Sequence, residues 1–434
     1  MQTLDPRRLL RAAFDAAVRA ADPIHGIRQH LPARPKGRTV VVGAGKASAQ
    51  MAAALETLWD GPIEGVVVTR YGFSAPCQQI EIIEASHPVP DAAGLIASRR
   101  LLQAVEGLTA DDLVIALVSG GGSALLPSPA HGLTLADEIA VNEALLASGA
   151  PISAMNTIRK HISTIKGGRL AAAAHPASVV SFVVSDIPGD NPALVASGPT
   201  VPDAGTRQDA LALIEAYRMP LPEAVITHLK SSAADGLEPG DPRFARNQVH
   251  VVASAAVSLE AAAEEARRHG IEALILSDSI EGESRDVANM HAAIAREIAT
   301  RDRPFTKPVL LLSGGETTVT LRDKGKGKGG RNSEFLLSFA LGINGIAGIH
   351  ALAADTDGID GSEDNAGAFA DGHTVERMRK AGVDAKSMLM QNNAWTAFDA
   401  IDDVLVTGPT GTNVNDFRAI LVRDPSGIDG RVPT

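Results

Sequence analysis

Apolar residues along this chain fall into two kinds of run. Short unbroken stretches of Val, Leu, Ile and Ala, among them TVVVGA, GVVVTR, LVIALVS, SVVSFVV, VLLLSGG and ALAAD, read as buried strands, and VLLLSGG in particular as a parallel one. Between them lie segments with apolar residues every three or four positions, such as RRLLRAAFDAAVRAA and AAVSLEAAAEEARRHG, which read as amphipathic helices. Asp5 and Pro6 supply the N-cap and first position of the first helix. The alternation predicts an α/β protein with mainly parallel sheets. At 434 residues the chain exceeds one core, and the polar Pro- and Gly-bearing run SSAADGLEPGDPRFAR is the best boundary. It divides the chain into domains at 1–235 and 236–434, with the strand QVHVVAS opening the second.

Each strand breaks at once into small residues. The ends read GAGK, SGGGS, SDIPGD, SGGET, DTDG and TGPTGTN, and open α/β sheets bind ligands at such carboxyl ends. Gly43, Gly45 and Lys46 sit where a helix N-terminus adds anion affinity, with an exposed lysine on a tight turn as the bland alternative. A Walker A loop would need glycine at Val40, and the dinucleotide fingerprint would need it at Ser48. The second echo, Ser119, Gly120, Gly121, Gly122 and Ser123, resembles Ser313, Gly314, Gly315 and Glu316. His87 before Pro88 reads as a turn residue. In NTIRKHISTIKGGRLA, Arg159 and Lys166 are candidates for a substrate carboxylate, and Gly167-Gly168 should break the helix. Asp186 can bind Mg²⁺, take a proton from a substrate hydroxyl, or merely form a turn. Asp355 and Asp357, two apart in a glycine loop, suit an oxygen-loving cation.

Composition narrows the class. Net charge is −11, against a nucleic-acid surface, which leaves the basic loop Lys324, Lys326, Lys328 and Arg331 as a local exception. The lone Cys77 excludes a disulfide framework and a thiolate metal cluster and fits a reducing cytoplasm. No apolar run approaches the roughly 20 residues of a membrane helix. The strand ends hold amides, hydroxyls, cations and carboxylates, which are the parts of phosphoryl transfer.

Together VVVGAGKAS, LVSGGGSALLP, NTIRKHISTIKGGRLA, SDIPGDNPALVASGPTVPD, SGGETTVT, GKGGRNSE, ALAADTDGIDG and TGPTGTNVND resemble the class II glycerate kinases, the D-glycerate 2-kinase or MOFRL family, from about residue 5 to 422. The resemblance implies a Rossmann-like N-terminal domain, a second α/β domain, an active site in the interdomain cleft, and phosphorylation of glycerate at its 2-hydroxyl by ATP with Mg²⁺. It also implies Lys46 and Arg331 as the key catalytic cations. Ser333 stands where the family usually has glutamine. With Asp186 as first choice to orient the hydroxyl, the candidate binding set is Gly43, Gly45, Ser119, Gly120, Gly121, Gly122, Ser123, Lys166, Asn191, Gly314, Gly315, Glu316, Lys328, Asn332, Thr412, Asn413 and Asp416. Asp186, Asp355 and Asp357 are the candidate metal ligands. The expected protein is a cytoplasmic monomer or homodimer acting on a small sugar acid, without nucleic acid or membrane partners. Two other classes stay open: an NADPH-dependent hydroxypyruvate reductase, a name family members often carry, and a non-catalytic sugar-acid binder.

Overall fold

The structure, a computed structural model, describes residues 5–321 and 327–425, so Lys324 and Lys326 lie outside the described residues. The chain forms two compact units: Pro23–Val252, and a second that joins the residues up to Asp22 to those from Ala253 onward.

In the first unit, β1 (Thr39–Ala44), β2 (Glu64–Arg70), β3 (Ile80–Ala85), β4 (Leu113–Ser119), β5 (Ser178–Val184) and β6 (Gln248–Ala253) form one sheet in the order β3-β2-β1-β4-β5-β6. The pairings from β3 through β5 are parallel. This is the Rossmann strand order, which reverses direction between β1 and β4. Both of those strands are buried along their whole length, as unbroken Val and Leu runs require when helices cover both faces. Val40, Val42, Val66, Val68, Val114 and Val118 pack with Ala97 and Leu101 of the helix Ala92–Ala104. A second apolar cluster, including Leu145, Ile158, Ile214 and Leu229, ties four helices together.

In the second unit, β7 (Glu272–Ser277), β9 (Val309–Gly315), β11 (Ile349–Asp355), β12 (Gly367–Asp371), β13 (Val404–Leu405) and β14 (Asp416–Val422) form a sheet in the order β13-β12-β11-β14-β9-β7. The short strands β8 (Gly282–Glu283) and β10 (Thr317–Thr318) pair separately. Here β9 runs parallel to β7 but antiparallel to β14, and β11 is antiparallel to both its neighbours. The expectation of a parallel strand at VLLLSGG therefore holds on one side only. Burial on both faces produces the same apolar run in either direction.

The division also departs from the boundary expected at 235/236. QVHVVAS is β6, an edge of the first sheet, where Val251 packs on its core and Asn247 Oδ1 accepts the amide of Val179 at 3.1 Å. The N-terminal helix Pro6–Ala20 begins as read, with Asp5 accepting from the Arg7 amide. Its Leu9, Leu10, Ala13, Phe14 and Ala17 lock against Leu259, Ala262, Ala263 and Ala266 of the helix Ala255–Arg268, so it belongs to the second unit. Among the described residues no helix is long and apolar enough to cross a membrane.

Candidate functional site

At the reversal point of the first sheet, the turns after β1 and β4 lie against each other. Their glycines serve close approach between strands. A Cβ on Gly43 would stand 2.4 Å from the Leu117 carbonyl oxygen, and one on Gly45, whose φ is +139°, 2.1 Å from Ser119 Oγ. The amides of the turn are already used: Gly45 donates to the Val68 carbonyl at 3.1 Å, Lys46 to that of Gly120 at 2.9 Å, and Ala47 to Ser119 Oγ at 3.0 Å. The backbone amides of GAGK are thus spent on turn closure, and Gly43 and Gly45 allow the strands to pack closely. What the turn offers is the side chain of Lys46. It is half-buried beside Gly121, and among the described residues no carboxylate pairs with it.

Gly120 and Gly121 are shaped by what stands over them. A Cβ on Gly120 would fall 1.8 Å from Asp186 Oδ2, and one on Gly121, at φ +80°, 3.1 Å from both the His87 ring and Lys46 Cγ. Lys46, His87 and Asp186 therefore border one glycine turn. His87, read as a turn residue, is the neighbour that the sequence concealed. Burial, aided by the positive Lys46, Arg70 and Arg159, pushes its pKa down to about 4, so the ring is neutral at pH 7. Arg70 stacks on Phe73, 3.6 Å from the ring centre. A Cβ on Gly122 would stand 2.6 Å from that of Ala196. Ser123 Oγ lies 2.8 Å from Ser197 Oγ. Ala196 and Ser197 both have left-handed backbones, at φ +53° and +59°, a conformation that costs on the order of 1 kcal/mol or more per residue. Asn191, exposed in the same loop, accepts the Ala193 amide at 3.1 Å. Lys166 is buried and donates to Leu126 O at 2.6 Å and Glu138 at 3.4 Å, two of its three N–H groups.

Gly120→Ala should push the Asp186 carboxylate aside. We expect about 1–3 kcal/mol of overpacking. Thermal unfolding checks this, and an unchanged midpoint would contradict the placement.

In the second unit Arg331 opens the helix Arg331–Gly342 and holds three carboxylates: Asp416 at 2.5 Å, Asp355 at 2.7 Å and Glu316 at 2.8 Å. Together they raise its pKa above the ordinary arginine value despite burial. Three of its five N–H donors are engaged, which leaves two. Asp416, buried, also accepts from Asn332 Nδ2 at 2.8 Å and ion-pairs with the buried Arg418. Asp360 accepts the Asn332 and Ser333 amides at 2.9 and 2.8 Å and bonds the Ser333 hydroxyl, so this helix N-terminus is capped from within. Burial, reinforced by Asp357 and Asp416 and opposed by Arg331, holds the Asp355 carboxyl well above its usual pKa.

Asp357 donates its amide to Asp355 Oδ1 at 3.1 Å and accepts that of Ile359 at 2.8 Å. Among the described residues no three His, Cys, Asp or Glu side chains are assembled as a metal cage. Arg418 Nη1 donates to the Gly314 carbonyl at 3.2 Å, and a Cβ on Gly315 would strike the Ile280 backbone at 2.2 Å. Thr412 Oγ1 donates to Ala21 O at 2.7 Å, closing the end of the first helix, and Asn413 Oδ1 accepts the Asn415 amide at 3.1 Å. Lys328 lies 3.3 Å from Glu363 and 4.8 Å from the Trp395 ring centre.

His291 fixes the strand end from below. Its Nδ1 donates to Val287 O at 2.8 Å, so Nε2 accepts from Ser313 Oγ at 3.0 Å, and burial lowers its pKa to about 4. A folded pKa below the unfolded one gives stability that is present above pH 6.5 and lost as pH falls toward 4. The loss should reach about 3 kcal/mol. Urea titrations at pH 7 and 4.5 should show a smaller pH effect for His291→Gln, and an equal effect would contradict this.

The first sheet carries cations and one carboxylate at a Rossmann reversal point, and the second unit presents an arginine ringed by carboxylates. This is the equipment of an α/β phosphotransferase. Comparison with known proteins agrees. Residues 9–230 match a domain of unknown function, DUF4147, and residues 309–416 match the MOFRL family. The chain belongs to this DUF4147–MOFRL family, the one that includes the glycerate 2-kinases. It is 38% identical to the glycerate 2-kinase of Pyrococcus horikoshii, over 98% of this chain and 100% of that one. The crystal structure of a glycerate kinase from Thermotoga maritima superposes with a TM-score of 0.87 at 37% identity, covering 96% of this chain and 100% of that one. A protein of Agrobacterium vitis provisionally named hydroxypyruvate reductase is 51% identical over 96% of this chain and 94% of its own.

Proposed function

We propose that this chain is an ATP-dependent kinase that phosphorylates D-glycerate at its 2-hydroxyl, giving 2-phospho-D-glycerate and ADP. Lys46 carries the reading. It is a cation without a carboxylate partner among the described residues, set beside a glycine turn that Asp186 also borders.

The chemistry follows from charge. Asp186 accepts the proton of the 2-hydroxyl as its oxygen attacks the γ-phosphorus and ADP leaves. Lys46 stabilises the charge on the transferred phosphoryl oxygens, and Arg331, with two N–H groups left over, is the candidate cation of the second unit for the same kind of oxygen. Mg²⁺ takes one or two carboxylates along with substrate phosphates, and Asp355 and Asp357, adjacent oxygen donors, would suit it. When bound, the ion would neutralise phosphate charge. A cytoplasmic monomer or homodimer fits this chemistry.

The reductase reading is disfavoured by the GAGK turn, whose Gly45, Lys46 and Ala47 amides are spent within the protein and cannot hold a pyrophosphate. Two assays separate the classes. ADP release should require D-glycerate, and NADPH should not be oxidised with hydroxypyruvate; NADPH oxidation without ADP release would reverse the assignment.

A further inference from the structure

We infer that Arg159 is the receptor for the carboxylate of the substrate acid, an inference that rests on the kinase reading above. Its rival from the sequence, Lys166, is fully buried and spends two of its three N–H groups on Leu126 O and Glu138, whose charge it balances. Arg159 lies on the helix Ile152–His161, half-buried; among the described residues its guanidinium hydrogen-bonds only neutral acceptors, while the Glu138 carboxylate acts on it through space. Nη2 donates to Asn142 Oδ1 at 2.7 Å and Nη1 to Asn156 Oδ1 at 3.4 Å. Two of five donors are thereby used, and those left form the planar fork that binds a carboxylate bidentately.

Both asparagines are fixed in turn. Asn142 Nδ2 donates to the Pro88 carbonyl, next to His87, at 3.0 Å. Asn156 Oδ1 accepts from Ser197 Oγ at 2.8 Å, and that hydroxyl reaches Ser123 of the glycine turn at 2.8 Å. The guanidinium is therefore positioned from both sides of the turn that Lys46 and Asp186 border.

Arg159 lines the mouth of a small open pocket of about 20 Å³, room for a single small polar group, with Ser123, Glu138, Asn142 and Lys166 in its wall. Two cations and one carboxylate leave this wall one positive charge in excess, and a monoanion balances it. Buried Glu138 Oε2 has no hydrogen-bond partner among the described residues. In a 2-hydroxy acid the carboxylate and the 2-hydroxyl sit on adjacent carbons, so anchoring the first orients the second.

The test compares wild type, Arg159→Gln and Arg159→Lys with D-glycerate and with its uncharged amide, D-glyceramide. Arg159→Gln should raise KM for D-glycerate about 30- to 100-fold, the size of a lost charge-assisted pair, with KM for ATP unchanged. Arg159→Lys should recover part of the loss, and wild type should strongly prefer the acid to the amide. An unaltered KM for D-glycerate, or an equal rise in KM for ATP, would overturn the assignment. If the variants do not fold, equal use of acid and amide by wild type overturns it and strong preference for the acid supports it. Should wild type release no ADP, the kinase reading fails separately. Calorimetry with D-glycerate then decides, because binding lost in Arg159→Gln supports the receptor, whereas binding retained, or absent from wild type, refutes it.

Discussion

Replacing Lys46 by alanine should lower turnover about 1,000-fold or more, the scale set by removing a cation from a phosphoryl transition state. Stability should move by less than about 0.5 kcal/mol, as for a side chain that holds nothing together. The reasoning rests on what Lys46 does not touch. Its backbone closes the turn through Gly120 and Thr69. Its ammonium forms no ion pair with any described residue, so truncation leaves no buried partner behind. Turnover and thermal unfolding together check both halves. Near-normal activity would refute the role, and a large drop in unfolding temperature would show that Lys46 is structural.

Arg331→Met should behave differently, with loss of both turnover and about 3–5 kcal/mol of stability, because it strands buried Asp355 without its cation and leaves Asp416 with Arg418 alone. The stability loss should depend on pH. Burial already raises the Asp355 pKa against the pull of Arg331, and removing the arginine raises it further. The folded variant then holds a proton that the unfolded chain releases above about pH 4, so the variant loses stability as pH rises from there toward the elevated folded value. Denaturant titrations of both proteins between pH 4 and 7 check this. A variant as stable as wild type would mean that the three carboxylates do not depend on Arg331.

The contrast between these residues explains what the sequence could disclose. Strand ends were legible because an unbroken apolar run that stops at glycine has few other readings, and β1, β4, β5, β9 and β11 end in the segments singled out. The helix break at Gly167 and Gly168 was legible too, since both take positive φ between His161 and Arg169. Partners distant in the chain were not. The apolar stripe of Leu9, Leu10 and Phe14 states that a helix face is buried but not against what. QVHVVAS states a strand but not its sheet. Gly43 and Gly45 look alike whether a phosphate or a neighbouring strand approaches them, and here the strand does. Asp355 and Asp416 read as free acids until Arg331 comes to lie between them.

The most direct measurement is phosphorus NMR of the product formed from ATP and D-glycerate. The account predicts ADP together with a phosphate monoester whose resonance is split by the single proton on C2. A monoester coupled to the two protons of C3, or no new ester while ATP persists, would contradict it.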